Sequence, residues 1–293
     1  MPVCEGGNAT VHLVQRARPM LGTLVALQVR LVQAAAPGGH QLEHIHAVME
    51  MAFRLILDIE HAMSAHSPGS DLARLARATP GDDITLSHHT VAVLRSAKYW
   101  YQASLGAFDP AFAADKLAAR NVRPAFRGLA FSRKATLRDL SVVSDDTVRL
   151  QCPIRLDFGG IAKGYAVDQA LSVLMGCGLA NVLVNAGGDL RASGEWGWPV
   201  RVRSQGTPTH TRSLKGLKSI RNAALTTSTG TNTNIEFVRS SRLRFSQQWN
   251  SCTVHAPDCV TADALTKWGL QSDAKSPRLE RILRAHRATM WRA

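Results

Sequence analysis

Two short stretches of this 293-residue chain carry side chains at spacings that chemistry could use. The first is Asp157-Phe158-Gly159-Gly160-Ile161-Ala162-Lys163-Gly164. A glycine turn that opens a helix leaves backbone N–H groups free and points the positive end of the helix dipole outward, which suits a phosphate or pyrophosphate. Lys163, one turn into the helix, adds a cation. The stretch is neither GxGxxG nor the GxxxxGK(S/T) loop, so neither nucleotide fingerprint applies. The same residues also read as a tight turn with a surface lysine. The second stretch is Thr261-Ala262-Asp263-Ala264-Leu265-Thr266-Lys267. Thr261 is a candidate N-cap, and Asp263 and Thr266 share a helix face, where a carboxylate and a hydroxyl could bind a hard cation such as Mg²⁺. An acidic residue in a first turn also serves the helix dipole. His44, His46, His88 and His89 read as surface side chains rather than ligands.

These residues need elements to hold them. Residues 22–30 are β-formers and predict a strand. From Leu42, the apolar residues Ile45, Met49, Ala52, Ile56, Ile59 and Met63 recur at steps of three and four, the stripe of a helix that packs on a core. Further helices are predicted over 70–78 and 90–104, and Asp109-Pro110 has the form of a helix start. Residues 120–151 read as short strands and loops. Residues 154–157 predict a strand, 162–175 a helix and 181–185 a second strand, a β-α-β unit with glycines at its turn. Gly187-Gly188 and Asp189 follow. Residues 201–244 read as strands joined by exposed loops, and 261–270 and 277–290 as helices.

The hydrophobic fraction of 45% describes a globular chain and excludes disorder and collagen-like repeats. No run approaches the roughly 20 apolar residues that span a bilayer, so no membrane span is expected. No secretory signal is visible at the N-terminus, and the expected location of the chain as given is the cytoplasm. Five cysteines without a CxxC pair support neither a zinc site nor a disulfide framework, and they are expected to be free thiols. The formal net charge of +13 is uneven: residues 151–293 carry 19 basic and 9 acidic side chains, and residues 201–244 nine against one. Such an excess points to an anionic ligand, to nucleic acid, or to nothing beyond a basic surface.

Seven blocks occur in an order that resembles the ApbE-like flavin transferases, the FAD:protein FMN transferases, from about residue 16 to 270. They span residues 18–23, 63–75, 106–110, 156–168, 184–191, 227–228 and 262–265. The most specific are Gly106-Ala107-Phe108-Asp109-Pro110 and the run from Asp157 to Asp168. The resemblance implies an α+β fold, a single domain of mixed sheets and packed helices over 16–271, with a lead at 1–15 and a C-terminal helix at 272–293. It implies FAD as substrate, Mg²⁺, and transfer of the FMN half to a threonine hydroxyl of an acceptor flavoprotein with release of AMP. By resemblance, Leu21 and His66 line the flavin site, Ala107, Phe108 and Asp109 form an FAD-binding turn, and Asp157, Lys163 and Thr227 also contact FAD. Gly160 would offer its carbonyl to the metal, with Asp263 as carboxylate ligand and Thr266 as a third. No catalytic residue is assigned.

The chain departs from the family pattern at three places. Members carry a His-x-x-Asp-Pro-x-Thr-Gly segment whose histidine is a candidate for assisting the attacking hydroxyl, but residues 230–251 contain no His, Asp or Pro. Many members have Thr four residues after the metal-binding Asp, where this chain has Lys267 and places Thr266 one position earlier. The family commonly works in the periplasm, and this chain shows no export signal. Two alternatives therefore stand beside FMN transfer: a member that binds FAD or hydrolyses it to FMN and AMP, and a basic nucleic-acid-binding protein. The second has little support, because the basic segment lacks interleaved aromatic residues.

Overall fold

Strand formation begins well before residue 22. The computed structural model describes residues 10–33, 35–112, 129, 132, 134–203, 211–212, 217, 219–229 and 249–293. In it β1 (Thr10–Met20) and β2 (Thr23–Gln33) pair antiparallel along their full length. Their two-residue connection, Leu21-Gly22, has φ values of 55° and 69°, the left-handed pair that closes a tight hairpin. Part of β1 thus occupies the expected lead. The strand is hard to see in the sequence because Val11 and Leu13 face solvent, while Arg16 and Arg18 reach over to Glu50 at 3.4 and 2.6 Å.

Helix α1 (Gly39–Met63) buries the predicted stripe together with Val48 and Phe53. Helix α2 (Asp71–Arg77) is capped by Ser70, whose hydroxyl accepts from the Ala73 N–H. Strand β3 (Asp83–Thr85) and helix α3 (His88–Ala103) follow. The buried Asp71 carboxylate ties α2 to the start of α3: it accepts from the Ser87 N–H at 2.8 Å and the Thr90 hydroxyl at 2.6 Å. Strands β4 (Leu140–Val142) and β5 (Thr147–Leu150) complete a small sheet of order β3-β5-β4.

Helix α4 (Ala162–Gly176) leads into the hairpin of β6 (Val182–Ala186) and β7 (Asp189–Ser193). Two short pairs lie beyond it, β8 (Trp198–Pro199) with β11 (Ser219–Ile220) and β9 (Val202–Arg203) with β10 (Thr211–Arg212). The chain closes with β12 (Ala223–Thr229), β13 (Ser251–Ala256), α5 (Cys259–Gly269), α6 (Pro277–Ala285) and β14 (Thr289–Arg292). The main sheet has the order β1-β2-β6-β7-β12-β13-β14, with every neighbouring pair antiparallel. Val25, Leu27 and Val29 of β2, Val182 and Val184 of β6 and Val254 of β13 belong to one buried core with α1, α4 and α5. A smaller cluster forms around Ala192, Trp198 and Leu225. The fold is α+β, one domain of sheets and packed helices.

Four expectations change. Residues 153–158 join no sheet among the described residues, so the β-α-β unit does not form. The Asp157 N–H donates instead to the Pro110 carbonyl at 3.1 Å and the Pro153 carbonyl accepts from Ser132 at 3.0 Å, while Ile154, Leu156 and Phe158 are buried in the core. The cap of α5 is Asp258 rather than Thr261, whose own N–H donates to the Asp258 carboxylate at 2.8 Å. The last helix stops at Ala285, because Thr289–Arg292 pairs with β13. Finally, β1 adds a strand over Thr10–Met20 that the sequence pattern does not announce. Cys152, Cys177, Cys252 and Cys259 are free thiols, as expected. Among the described residues no helix is long and apolar enough to cross a membrane. The expectations for 204–210, 213–216 and 230–248, which include most of the basic segment and of the stretch lacking the histidine, lie outside the described residues.

Candidate functional site

Helices α4 and α5 meet at their N-terminal ends and cap one another. Asp168 of α4, buried, accepts from the first two N–H groups of α5, those of Cys259 and Val260, each at 2.9 Å. In return Asp263 of α5, fully buried, accepts from the Gly164 N–H of α4 at 3.3 Å. Each helix thus supplies the carboxylate that its neighbour's positive end favours. The close approach requires glycine at 164: a Cβ there would lie 2.5 Å from the Cys259 carbonyl oxygen. Arg191 of β7 pairs with Asp168 at 2.8 Å. Burial nevertheless raises the Asp168 carboxyl to about 6, against the opposing pull of Arg191 and the two N–H groups.

Around this junction lie two lysine–aspartate pairs. Lys163 Nζ stands 2.6 Å from Asp189 Oδ2 at the start of β7. Lys267 Nζ stands 3.5 Å from Asp263 Oδ1, an atom that makes no hydrogen bond among the described residues. Burial works against the charge on Lys163, but Asp263 and Asp189 more than offset it and hold the ammonium above its ordinary range. Burial and the Asp263 carboxylate push Asp189 up, and Lys163 opposes them. A directed chain of hydrogen bonds completes the cluster. Lys267 donates to the Ser228 hydroxyl, Ser228 pairs with the Thr266 hydroxyl at 2.7 Å, and Thr266 donates to the Asp263 carbonyl at 2.7 Å.

The structure brings several of the other predicted residues to the same end of the sheet. Lys163 also donates to the Gly159 carbonyl at 3.5 Å. The Asp157 carboxylate closes its turn by accepting from the Gly159 N–H at 2.9 Å, and the Asp157 N–H bond to Pro110 joins that turn to Ala107, Phe108 and Asp109, all three buried. Asp109 accepts from the Ala111 N–H at 3.0 Å, and burial raises its carboxyl to about 7. Gly187, at φ 66° in the β6–β7 turn, packs so closely on Thr23 that no Cβ would fit. That contact sets the Leu21-Gly22 turn beside the turn that carries Asp189. Leu21 itself holds a positive φ, imposed by the two-residue hairpin turn, which costs a branched residue about 1–2 kcal/mol. Thr227, half-buried on β12, bonds the Thr253 hydroxyl at 3.0 Å. His66 is exposed just past α1, and its ring makes no hydrogen bond among the described residues. Sequence reasoning named neither Asp189 nor Asp168 as part of the site. Asp168 bonds backbone N–H groups about 90 residues away, a relation that leaves no spacing signal. A cavity of about 570 Å³ lined by Val29, His44, Asn181 and Trp196 lies toward the other end of β2 and contains none of these groups.

The side chains expected to hold Mg²⁺ already face other partners. Among the described residues no group of three or more His, Cys, Asp or Glu side chains is placed to hold a metal ion. Thr266 uses its proton on the Asp263 carbonyl and one lone pair on Ser228. The carboxylate expected as ligand already faces an ammonium, which has no lone pair to offer. Unit charges about 4 Å apart at an effective dielectric near 20 interact by ~4 kcal/mol, so a divalent ion beside that ammonium would be repelled by about twice as much.

Fold and cluster together define an α+β protein in which two mutually capped helices carry a pair of lysine–aspartate ion pairs beside the main sheet. The chain belongs to the ApbE family, whose sequence profile matches residues 21–276. It is 30% identical over 202 residues to a FAD:protein FMN transferase of Treponema pallidum, covering 64% of this chain and 54% of that protein. It is 25% identical over 281 residues to a protein of the same name from Vibrio cholerae, covering 89% and 81%. The match thus spans about half the length of the Treponema relative. Among solved structures, the flavin transferase ApbE of Vibrio cholerae superimposes with a TM-score of 0.73 at 18% identity, covering 97% of this chain and 94% of that one. The ApbE protein of Thermotoga maritima gives 0.71 at 21% identity, covering 96% and 94%. These two likenesses establish the fold.

Proposed function

We propose that this chain is a FAD:protein FMN transferase, which moves the FMN half of FAD onto a threonine hydroxyl of an acceptor flavoprotein. In this reading the threonine oxygen bonds to the FMN phosphorus, the pyrophosphate P–O bond to AMP breaks, and the hydroxyl proton leaves with AMP or to solvent. The observation that carries it is the position of Lys163: its ammonium, 28% exposed, joins the glycine turn at 157–160 to Asp189 and is held firmly charged. A fixed cation there suits a pyrophosphate and the negative charge that develops as AMP departs. Ala107, Phe108, Asp109 and Asp157 would form the neighbouring wall of the nucleotide site, Leu21 and His66 would line the flavin, and Thr227 would complete it. The names of the curated relatives support the same reading.

The test is incubation of the purified chain with FAD and an acceptor domain bearing the target threonine, read by in-gel flavin fluorescence and intact mass. A covalently labelled acceptor with one AMP per label is expected, and Lys163→Met should lower FAD affinity by about tenfold or more. No covalent flavin under any condition would overturn the reading. A second reading, hydrolysis of FAD to FMN and AMP, is favoured by the absence of His, Asp and Pro from residues 230–251. AMP released without acceptor labelling would select it.

A further inference from the structure

We infer that the ammonium of Lys267 takes the place of a divalent cation in this chain, so that its FAD site works without a metal. The ligand in this inference rests on the FAD reading; the cation does not. Asp263 is fully buried, and its Oδ1 makes no hydrogen bond among the described residues. A buried carboxylate oxygen in that state requires a positive partner. The partner present is Lys267, one helical turn on, at 3.5 Å and only 16% exposed.

Three features hold the ammonium there. The i,i+4 spacing on α5 sets lysine above aspartate in the favourable order, acid N-terminal to base. Ser228 of β12 accepts one of its protons, and Ser228 is itself oriented by Thr266. Lys163 and Asp189 form a second pair beside it, so each of these two carboxylates already faces an ammonium group. An ammonium has three N–H donors. With one on Ser228 and one facing Asp263, the third remains for a phosphate oxygen of a bound pyrophosphate, alongside Lys163. The site thus offers two fixed point charges in place of one lysine and one metal.

The experiment has two arms. In the first, Mn²⁺ is titrated into the full wild-type chain and into Lys267→Thr, with free Mn²⁺ read by electron paramagnetic resonance and melting temperature followed with and without Mg²⁺. Wild type should bind no stoichiometric Mn²⁺ and show no Mg²⁺-dependent change in melting temperature. Lys267→Thr should bind one ion per chain and melt higher with Mg²⁺, because a ligand that binds only the folded state stabilises it. In the second arm, FAD is titrated in EDTA and in Mg²⁺. Wild type should bind equally well in both, and the variant should weaken by about tenfold or more in EDTA. Stoichiometric Mn²⁺ on wild type, a wild-type FAD affinity that collapses in EDTA, or a folded variant with no affinity for Mn²⁺ would each overturn the inference. If neither protein binds FAD in any buffer, the FAD reading falls, while the Mn²⁺ arm still decides the role of Lys267. The wild-type measurements stand even if the variant does not fold.

Discussion

Replacing Gly164 by alanine probes the junction on which the site is built. The added methyl would lie 2.5 Å from the Cys259 carbonyl oxygen, 2.8 Å from its carbon and 2.9 Å from Val260 Cα, all backbone atoms. Ordinary contacts need roughly 3.5 Å, so α4 and α5 would have to part by about 1 Å. That movement stretches the Gly164–Asp263 hydrogen bond, already 3.3 Å, beyond use and strains the two bonds from Cys259 and Val260 to Asp168. Overpacking costs about 1–3 kcal/mol and a lost hydrogen bond to a charged group about 1.5–3. Better helix propensity returns at most about 1 kcal/mol, so a net loss of about 2–4 kcal/mol is expected. For a chain of this size that lowers the melting temperature by about 3–7 °C. The control is Gly176→Ala at the other end of α4, where no atom lies within 4 Å of the new methyl. Thermal and urea denaturation of both variants decide the matter. If Gly164→Ala is as stable as Gly176→Ala, the close approach of the helices is not what fixes the site.

Two further outcomes follow from buried carboxylates. Burial lifts Asp109 from 3.8 to about 7. Between about pH 4 and 7 the folded chain therefore keeps a proton that the unfolded chain has released, so this group's contribution falls as pH rises through that window and is level above it. Asp109→Asn retains an acceptor for the Ala111 N–H and removes that slope. Wild type should lose up to ~1.4 kcal/mol per pH unit relative to the variant, and parallel stability curves from urea melts would contradict the assignment. Asp71→Ala strips the Ser87 N–H and the buried Thr90 hydroxyl of their acceptor. A loss of about 2–4 kcal/mol is expected from the urea midpoint; a change below about 0.5 kcal/mol would mean that solvent replaces the carboxylate.

The parts of the fold that were readable from sequence are those whose physics is local. The stripe from Ile45 to Met63 repeats at helical spacing because one face of α1 is buried, and Ser70 and the glycine turn at 159–160 announce the helices they precede. Strand β1 is hard to read because its alternation is inverted: Val11 and Leu13 lie on the exposed face, while Arg16 and Arg18 lie on the half-buried one. Residues 153–158 imitate a strand because both faces of that segment are buried by loops and core rather than by a sheet. At the site, Lys163, Asp157 and Asp263 stand in recognisable runs. Asp168 and Asp189 also stand in recognisable runs, but their partners are distant in sequence, so the runs alone do not show what they bond. Lys267 was visible four residues after Asp263, but the spacing that makes a salt bridge was read only as a missing ligand.

The mutual capping of α4 and α5 also sets the order of events as the chain folds. Gly164 and Asp263 are 99 residues apart, and Asp168 and Cys259 are 91 apart. Closing a loop of that length is an entropic toll levied before any contact across it forms. Within the loop the chain must also assemble β6, β7, β12 and β13. A nascent chain that has emerged only as far as β13 carries Lys163 and Asp189 but neither Asp263 nor Lys267. The helix junction with its two lysine–aspartate pairs is therefore a late product of synthesis, complete only once α5 has docked.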